Sequence, residues 1–454
     1  MKLFPDDHET IAGTARRLRQ GEVTCEGVLQ SCLDRIEHRE HEVRAWVIVD
    51  REGALVQARD LDAELQAGRD RGPLHGMPIG VKDIIDVKGL PTTCGIAGWE
   101  GNSDPIDAAI VARLRAAGAI ILGKTVTTPF AWIDPPVTRN PWNLERTPGG
   151  SSSGSAAAVA CGMCLAALGT QTGGSITRPA AFCGVAGMKP TYGYIDNQGI
   201  FPLAPTLDHP GFIARAVADL RLIFEVCRRP DLPAEQYAPW VRGAVDRPRL
   251  CRPLGLFDNL ASPEMATALN SALVCLSDAG AEVQNSDNTG VLAIHILEPL
   301  LRILEPLLRD HRVILASEAA ATHRGLEYAN PPAYPERIDE LLREGDDVRA
   351  VDYLRACEQR KKYRVAEEVM FMLVDALVTP AALGAAPDRS TTGDPVFNSP
   401  WSLLGLPTVS FPIGLSADGL PLAVQLIGRT GFDLHLLRTA EWCETVIRSA
   451  NRGS

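Results

Sequence analysis

A serine preceded by two glycines, Ser175, is the residue whose setting best suits covalent chemistry in this sequence. The backbone at Gly173 and Gly174 can turn sharply and direct several amide hydrogens toward one cavity, which is the geometry that an oxyanion hole requires. A serine alcohol is nearly inert at neutral pH, however, unless a base lies within hydrogen-bonding distance. The segment therefore predicts a nucleophile at Ser175 and a base contributed by another part of the chain.

The spacing of residues does not identify that base. No Gly-x-Ser-x-Gly pattern surrounds Ser175, and none of the nine histidines stands at a position that marks it as the partner. A flexible linker is one alternative for a segment rich in glycine and serine, but residues 156–168 within it are mainly apolar. A phosphate-binding loop is another alternative, but the lysine of the P-loop pattern is missing. A nucleophile is the favoured interpretation.

Alternating helical and strand-like patterns surround this segment and must position it. Helical spacing of apolar residues is found in residues 11–20, 25–38, 53–66 and 108–117, and strand-like runs in residues 45–49, 77–87 and 119–123. Ser152 and Ser153 are predicted to cap a further helix that extends to Leu165. This alternation predicts an α/β fold.

Residues 227–377 differ, because long helical stretches joined by proline-rich segments replace the alternation until strand-like patterns return after Val378. They are predicted to form an inserted helical cap within a single domain that spans residues 1–454. The insertion contains a tandem seven-residue repeat, residues 296–309, with one proline in each copy. Because proline bends helices, the repeat predicts a kinked, packed helix rather than a substrate-lining lid.

Composition and charge restrict the class of partner. The chain of 454 residues carries 45 Lys and Arg against 56 Asp and Glu, a formal net charge of −11. A chain this acidic lacks the positive field that nucleic acid or an anionic membrane requires. Its eleven cysteines follow no regular spacing, and no apolar signal run opens the sequence, so a cytoplasmic location with reduced thiols is expected. The expected partner is a small uncharged molecule.

A long set of motifs gives the sequence a specific resemblance. Residues 149–193, which include the run FCGVAGMKPTYG at 182–193, resemble the signature block of the amidase signature family of serine hydrolases. The match extends to residues 76–83, 140–143, 392–395, 404–407 and 419–421, with Gln425 and Gly428. It is weakest in the insertion. The resemblance implies an α/β amidase-signature fold with a mixed central sheet covered by helices.

The same resemblance implies a Ser-Ser-Lys triad without metal or cofactor. Ser175 would attack the carbonyl carbon, Ser151 would pass the proton, and Lys82 would act as the general base. The family places the middle serine after a cis peptide bond, here Gly150–Ser151. The residues that match the family's oxyanion hole are Thr172, Gly173, Gly174 and Ser175.

This triad depends on a neutral lysine, because an ammonium group cannot accept a proton. With an unperturbed pKa of about 10.4, only about 0.4% of a lysine side chain is neutral at pH 8. Burial in an uncharged pocket lowers the pKa, and residues 147–177, which carry no charge, could form such a pocket around Ser151. Asp83, the neighbour of Lys82, would oppose this effect if its side chain pointed the same way.

Two positions depart from the family pattern. The family often has an acidic residue at the position of Gln171 and an arginine at that of Thr177, whereas here the arginine follows one residue later, at Arg178. Family members that bind a substrate carboxylate through that arginine are therefore poor guides. The departures favour a neutral acyl group, and a hydrolase rather than the tRNA-linked amidotransferase subunit.

These features predict an amidase that hydrolyses the C–N bond of a neutral amide, aryl amides included, through an acyl-enzyme at Ser175. Carbamates and esters react through the same tetrahedral chemistry, so a carbamate or ester hydrolase is an alternative. A non-catalytic binding subunit is a second alternative. The third is an amidotransferase subunit that works only with partner chains.

Other chemically suggestive residues have simpler explanations. Cys161 and Cys164 have the spacing of a metal-binding or redox pair, but no second pair accompanies them, and they are predicted to be buried thiols in an apolar helix. His38 and His41 lie among glutamates, which is typical of a solvated helix face. Asp208, followed by a histidine, is assigned no catalytic role.

Overall fold

The computed structural model describes residues 1–6, 9–99, 101–232, 247–253, 259–285, 304–325, 334–371 and 373–452. One sheet runs through the described residues. Its strands in chain order are β1 (Trp46–Val49), β2 (Pro78–Lys82), β3 (Ile120–Thr125), β4 (Ala166–Gln171), β5 (Ala186–Lys189), β6 (His209–Ala214), β7 (Arg249–Arg252), β8 (Glu282–Asn285), β9 (Ala376–Pro380), β10 (Thr408–Leu415) and β11 (Pro421–Ile427).

The order of the strands across this sheet is β1-β3-β2-β4-β6-β5-β10-β11-β9-β7-β8. Strand β2 is parallel to both of its neighbours, β3 and β4, and β7 is parallel to β8 and β9. The remaining pairs are antiparallel. The sheet is therefore mixed, as the sequence predicts.

Helices cover both faces of the sheet. In chain order they are α1 (Ile11–Arg19), α2 (Cys25–Val43), α3 (Arg51–Gln66), α4 (Ala109–Ala116), α5 (Ser153–Ala160), α6 (Thr177–Cys183), α7 (Val217–Cys227), α8 (Pro263–Asp278), α9 (Leu304–Arg324), α10 (Glu336–Asp347), α11 (Ala350–Met370), α12 (Ser399–Leu404) and α13 (Asp433–Arg452). Local sequence sets several of their starts: the Thr10 hydroxyl accepts the N–H of Gly13 at 3.0 Å and so caps α1.

Every residue of the central strands β2, β3, β4 and β6 is buried. Strands covered on both faces have continuous apolar runs instead of an alternating pattern, which explains why residues such as 119–123 could be recognised in the sequence. Two lysines, Lys82 and Lys124, nevertheless lie in these strands with no exposed surface. A charge in such a position must be paired or neutralised.

The predicted helical insertion, residues 227–377, is only partly helical. Residues 249–252 and 282–285 form β7 and β8, which extend the same sheet beside β9, so the predicted helical region does not include these two segments. Each has only four residues, too few to show a helical or an alternating period. Helices α8, α9, α10 and α11 form the helical part of its described residues. The boundaries of a single domain stay a prediction.

The tandem repeat lies partly outside the described residues, because its first copy, 296–302, is not among them. In the second copy Pro306 lies in helix α9, two residues after Leu304, the first residue of that helix within the described ranges. The predicted kink therefore stays a prediction.

Helix α5 is shorter than the sequence predicts. It ends at Ala160, and Gly162 follows with a φ of +67°, so the chain leaves the helix well before Leu165. Cys161 caps the helix, and Cys164 lies in the connection to β4. The prediction that both cysteines sit in the helix is therefore wrong.

Candidate active site

The parallel strands β2 and β4 bring the predicted site residues to one edge of the sheet. Val81 is paired with Leu168, and both strands run in the same direction, so their carboxyl ends lie side by side. Lys82 is the last residue of β2, and the glycine-rich loop with Ser175 follows directly after β4. Ligands of α/β sheets bind at this edge.

Lys82 contacts two hydroxyl groups in the interior of the protein. Its Nζ lies 2.7 Å from Oγ of Ser151 and 2.8 Å from Oγ1 of Thr170, with the carbonyl oxygen of Thr170 at 3.5 Å. The lysine has no exposed surface, and Ser151 is 1% exposed. The lysine and the bridging serine of the predicted triad are therefore in direct contact.

Burial lowers the pKa of Lys82 well below its usual value of 10.5, because the interior disfavours the ammonium form. The charge of Asp208 and the thiol of Cys94 oppose this effect. Burial also raises the pKa of Cys94 well above its ordinary value, so this thiol stays protonated at neutral pH. Lys82 is thus held toward the neutral state that a general base needs.

Asp83 does not oppose this effect, because its side chain is engaged elsewhere. Its Oδ1 lies 2.9 Å from Nζ of Lys124, and neither side chain is exposed. Oδ2 accepts hydrogen bonds from the backbone N–H and the hydroxyl of Thr93. Successive side chains of an extended chain point to opposite faces, which separates this carboxylate from the amine of Lys82.

The two serines are connected through their backbones. The Gly150–Ser151 peptide bond is cis, as the resemblance implies, and the carbonyl oxygen of Ser175 accepts the N–H of Ser152 at 3.3 Å. Among the described residues the Ser175 hydroxyl has no hydrogen-bond partner, Ser151 included. The geometry therefore joins Lys82 and Ser151 directly, and the backbone bond from Ser152 brings the Ser175 residue close to Ser151. Catalytic hydrogen bonds are often long without substrate.

Gly174 is required for a reason other than the predicted sharp turn, since neither it nor Gly173 has a positive φ. A Cβ on Gly174, however, would lie 2.5 Å from Oδ1 of Asn398 and 3.0 Å from Nη1 of Arg178, so a side chain does not fit there. In the described part of the chain nothing accepts the N–H groups of Gly173, Gly174 and Ser175. These donors are available to a ligand oxygen, as an oxyanion hole requires.

Gln171 and Thr177, the two departures from the family pattern, bond to each other. Oε1 of Gln171 accepts the Thr177 hydroxyl at 3.1 Å and the N–H groups of Ile176 and Thr177 at 2.9 and 3.0 Å. These N–H groups belong to the start of α6, where the helix provides no acceptor. The departures are thus one coupled change, in which neutral hydrogen bonds take the place of an acid and an arginine.

Arg178 lies in the site although it stands one residue away from the family's arginine. The side chain is 1% exposed, and it donates to the carbonyl oxygens of Thr392 at 2.7 Å and Gly150 at 2.9 Å. Its Nη1 has no partner in the part of the chain that the structure describes. Burial lowers its pKa to about 10, against the effect of Asp394. A guanidinium group with one free nitrogen therefore borders the site.

Asp208, to which the sequence assigned no role, holds the loop that contains Thr172. Its Oδ1 accepts the Thr172 hydroxyl at 2.5 Å, and Oδ2 accepts the N–H groups of Leu203 and Ala204 at 2.8 and 3.0 Å. Burial raises the pKa of this carboxyl to about 6. The sequence signal was the position of Asp208 in a family-like stretch, but no spacing linked it to Thr172.

Ser175 opens into a cavity of about 280 Å³. The residues 172–175 form one wall, and side chains from α9 and from residues 391–399 form much of the rest. A second cavity, of about 240 Å³, shares Ala131, Thr172 and Leu203 with the first and is lined mainly by apolar side chains. A substrate in contact with Ser175 could therefore extend past Thr172 into an apolar space.

The weaker candidates of the sequence take no part in the site. Cys161 and Cys164 are free, and burial raises the pKa of both thiols, to about 11 for Cys161. His38 and His41 are exposed on α2. The described ranges contain no cluster of three or more His, Cys, Asp or Glu that could hold a metal ion. The absence of a metal or cofactor in the reaction stays a prediction.

Comparison with known proteins identifies the family. The family model described as Amidase matches residues 27–437. The chain is 36% identical over 477 residues to one of the subunits of the glutamyl-tRNA(Gln) amidotransferase of Roseiflexus castenholzii, with 95% of this chain and 94% of that protein covered. It is 35% identical over 440 residues to a protein of Pseudomonas putida named amidase, with 92% and 91% covered.

The fold agrees with these similarities. The structure of native peptide amidase from Stenotrophomonas maltophilia matches with a TM-score of 0.80 and 27% identity, covering 97% of each chain. The chain therefore belongs to the amidase signature family of hydrolases. Both the family and the mixed-sheet fold predicted from the sequence are confirmed.

Proposed function

We propose that this protein hydrolyses the C–N bond of small amides through an acyl-enzyme at Ser175. The observation that carries the proposal is the buried Lys82, whose Nζ lies 2.7 Å from Oγ of Ser151 and whose pKa burial lowers well below 10.5. A neutral amine at this distance can take a proton that an ammonium ion could not. It is the base that the sequence around Ser175 lacks.

In the proposed reaction a proton passes from the attacking group through Ser151 to Lys82, and then returns through Ser151 to the leaving group. Oγ of Ser175 attacks the carbonyl carbon and gives its proton to Ser151, which passes its own proton to Lys82. The N–H groups of Gly173, Gly174 and Ser175, with that of Thr172, stabilise the oxyanion. The C–N bond then breaks as the leaving amine receives the proton back through Ser151. Water attacks the resulting ester by the same route and releases the acid.

The cavities inform the choice of substrate. The apolar cavity of about 240 Å³ is larger than an engineered cavity of about 150 Å³ that binds benzene, which supports an aryl or branched alkyl group in the substrate. The sequence favoured a neutral acyl group because the arginine is displaced to position 178. Arg178 nevertheless lines the cavity of Ser175, so the displacement alone does not exclude an acidic group, and the substrates tested must include both.

The three alternative functions considered for the sequence predict different experimental results. A carbamate or ester hydrolase would use the same triad and differ only in substrate preference. An amidotransferase subunit, the role that the name of the Roseiflexus relative gives to that protein, would depend on partner chains. A non-catalytic binding subunit would lack an activated serine. The cytoplasmic location and the small-molecule partner stay predictions, and none of the described helices is long and apolar enough to cross a membrane.

The decisive variants are Ser175→Ala and Lys82→Ala. Each is expected to lower kcat for anilide hydrolysis by at least about 1,000-fold, because nucleophile and base act as one unit, while circular dichroism shows a folded protein. Lys88→Ala is the matched control, because this exposed lysine lies six residues beyond Lys82. It is expected to match the wild type.

A fluorophosphonate probe and a substrate screen separate the alternatives. The probe reacts only with an activated serine, so labelling of the wild type at Ser175 excludes a non-catalytic subunit. Hydrolysis by the purified chain alone excludes a dependence on partner chains. The screen compares anilides, aliphatic amides, carbamates and esters, each with and without a carboxylate. Full activity of either Ser175→Ala or Lys82→Ala would overturn the proposed function.

A further inference from the structure

Two carbonyl groups of the glycine-rich loop are held by side chains from distant helices. The carbonyl oxygen of Thr172 accepts a hydrogen bond from Nε2 of His311, on α9, at 2.9 Å. The carbonyl oxygen of Gly173 accepts the hydroxyl of Ser402, on α12, at 2.7 Å. Neither donor belongs to the signature block that carries Ser175.

These bonds fix the direction of the amide hydrogens that follow each carbonyl. A planar trans peptide group points its C=O and its N–H in opposite directions, and both bonds concerned are trans. The donor on the Thr172 oxygen therefore sets the direction of the Gly173 N–H, and the donor on the Gly173 oxygen sets that of the Gly174 N–H. Neither N–H has an acceptor within the described ranges, so each remains free for a ligand.

His311 is suited to hold its carbonyl partner rigidly. The residue is 6% exposed, and its ring borders the same cavity as Ser175. Burial lowers its pKa to about 4, helped by the charges of Arg312 and Arg360. The ring is therefore neutral at physiological pH, and because a carbonyl oxygen only accepts, the single ring hydrogen resides on Nε2.

We propose that His311 is a positioning residue for the oxyanion hole, which holds the Thr172–Gly173 peptide group so that the Gly173 N–H faces the reacting oxygen. Ser402 does the same for the Gly174 N–H. The proposal rests on the proposed function of Ser175. It gives the helical region between β8 and β9 a part in the reaction, although none of its described residues bonds to Lys82, Ser151 or Ser175.

The test compares His311→Leu, which removes the donor, with His311→Gln, whose side-chain amide can donate to the same carbonyl. The first readout is the rate at which a fluorophosphonate labels Ser175. The second is the inhibition constant of a trifluoromethyl ketone, which forms a tetrahedral oxyanion adduct. His311→Leu is expected to slow labelling and to weaken the inhibitor by about 100-fold each, since a displaced donor costs that order of rate. His311→Gln is expected to recover most of both losses.

Ser317→Ala is the matched control, because this serine lies on α9 and, among the residues that the structure describes, its hydroxyl bonds only to the carbonyl of Val313 in the same helix, at 2.8 Å. It is expected to behave as wild type. Ser402→Ala is an independent lesion of the second carbonyl and is expected to slow labelling by about 10-fold. A purely structural role of His311 would lower the thermal midpoint and leave the labelling rate and inhibitor affinity of the folded fraction unchanged.

The outcomes distinguish the two proposals. Failure of the wild type to label at Ser175 would overturn the proposed function. Labelling of the wild type together with an unchanged rate in folded His311→Leu would overturn the inference alone. If His311→Leu does not fold, a wild-type rate and inhibitor affinity in Ser402→Ala would overturn it instead.

Discussion

At the scale of single residues, the site depends on an amine surrounded by alcohols. Lys82 contacts the hydroxyls of Ser151 and Thr170, while the carboxylate next to it in sequence, Asp83, is paired with Lys124. An acid in contact with Lys82 would hold it as an ammonium ion. The hydroxyls satisfy its hydrogen bonds without that charge, and burial lowers the pKa of Lys82, which favours the neutral amine.

The pH dependence of activity tests this arrangement. Activity requires the neutral amine, so kcat/KM for a neutral anilide should rise as the pH passes the pKa of Lys82, and burial places this rise well below pH 10.5. In Asp208→Asn the rise should move to lower pH, because the carboxylate that raises the pKa of Lys82 is removed. A rise centred near pH 10.5, or no rise between pH 5 and 11, would contradict the assignment.

The catalytic roles of Lys82, Ser151 and Ser175 could be predicted from the sequence, because each residue stands in a long motif that matches the family position by position. The separation of Asp83 from Lys82 was also within reach, since it follows from the alternation of side chains along an extended chain. The contact of His311 with the loop could not be predicted, because His311 lies 139 residues from Thr172 and no local pattern connects them. The position of Arg178 beside the cavity of Ser175 was not predicted either, because sequence position alone does not fix where a long side chain ends.

At the scale of elements, the end of β2 is held in place by a buried ion pair. Asp83 continues the pairing with β3 through its N–H, which donates to Thr125 at 3.0 Å, and its side chain meets Lys124 of that strand. Lys124 also donates to the hydroxyl of Thr92 at 2.8 Å. The strand that carries Lys82 is thus tied to its neighbour beside the catalytic position.

Removal of one partner of this pair should destabilise the fold strongly. Lys124→Met leaves the carboxylate of Asp83 buried without its cation, a change that costs about 3–5 kcal/mol. Lys361→Met is the control, because Lys361 forms an exposed ion pair with Glu358 and such pairs contribute little. Urea denaturation measures both. Equal midpoints for the two variants would show that the buried pair does not stabilise β2.

Some elements differ from what the hydrophobic pattern of the sequence predicts. A single helix from the Ser152 and Ser153 caps to Leu165 was predicted, but a buried helix and a buried strand share the apolar composition of residues 156–169. Gly162 divides the run, and its second part forms β4. Strands β7 and β8 were not predicted for a related reason, since each has only four residues. Strand β8 forms the edge of the sheet, and β7 lies next to it.

At the scale of the whole molecule, two halves of the sequence contribute strands to one sheet. Residues 46–214 supply β1 to β6, and residues 249–427 supply β7 to β11. The halves meet where β5 pairs with β10, as in the partners Lys189 and Thr408. Lys82, Ser151 and Ser175 come from the first half, whereas His311 and Ser402 come from the second.

The global stability should depend on pH through two buried acids, Asp219 on α7 and Glu444 on α13. The Val217 N–H donates to Glu444 at 2.9 Å, and burial raises the pKa of Glu444 to about 8 and that of Asp219 to about 7. The folded protein therefore keeps protons that the unfolded chain loses near pH 4.5. Their stabilisation is complete below that pH and is lost as the pH rises toward about 8.

Glu444→Gln isolates this effect, because glutamine keeps the acceptor for Val217 and cannot ionise. At pH 9 it should be more stable than the wild type by on the order of 2 to 4 kcal/mol, and near pH 4.5 the two should be similar. Urea midpoints at both pH values provide the measurement. The control Glu52→Gln, at an exposed position, should follow the wild type. Parallel pH profiles for Glu444→Gln and wild type would refute the account.

The pairing of β5 with β10 has a consequence for synthesis of the chain. A ribosome that has released residues 1–214 has already produced the amine and both alcohols, but the donors that orient the Gly173 and Gly174 amides are not yet made. On the proposed function, a nascent polypeptide of this length therefore lacks the donors that orient these amides. We expect full hydrolytic activity only after β10 has been translated and has paired with β5.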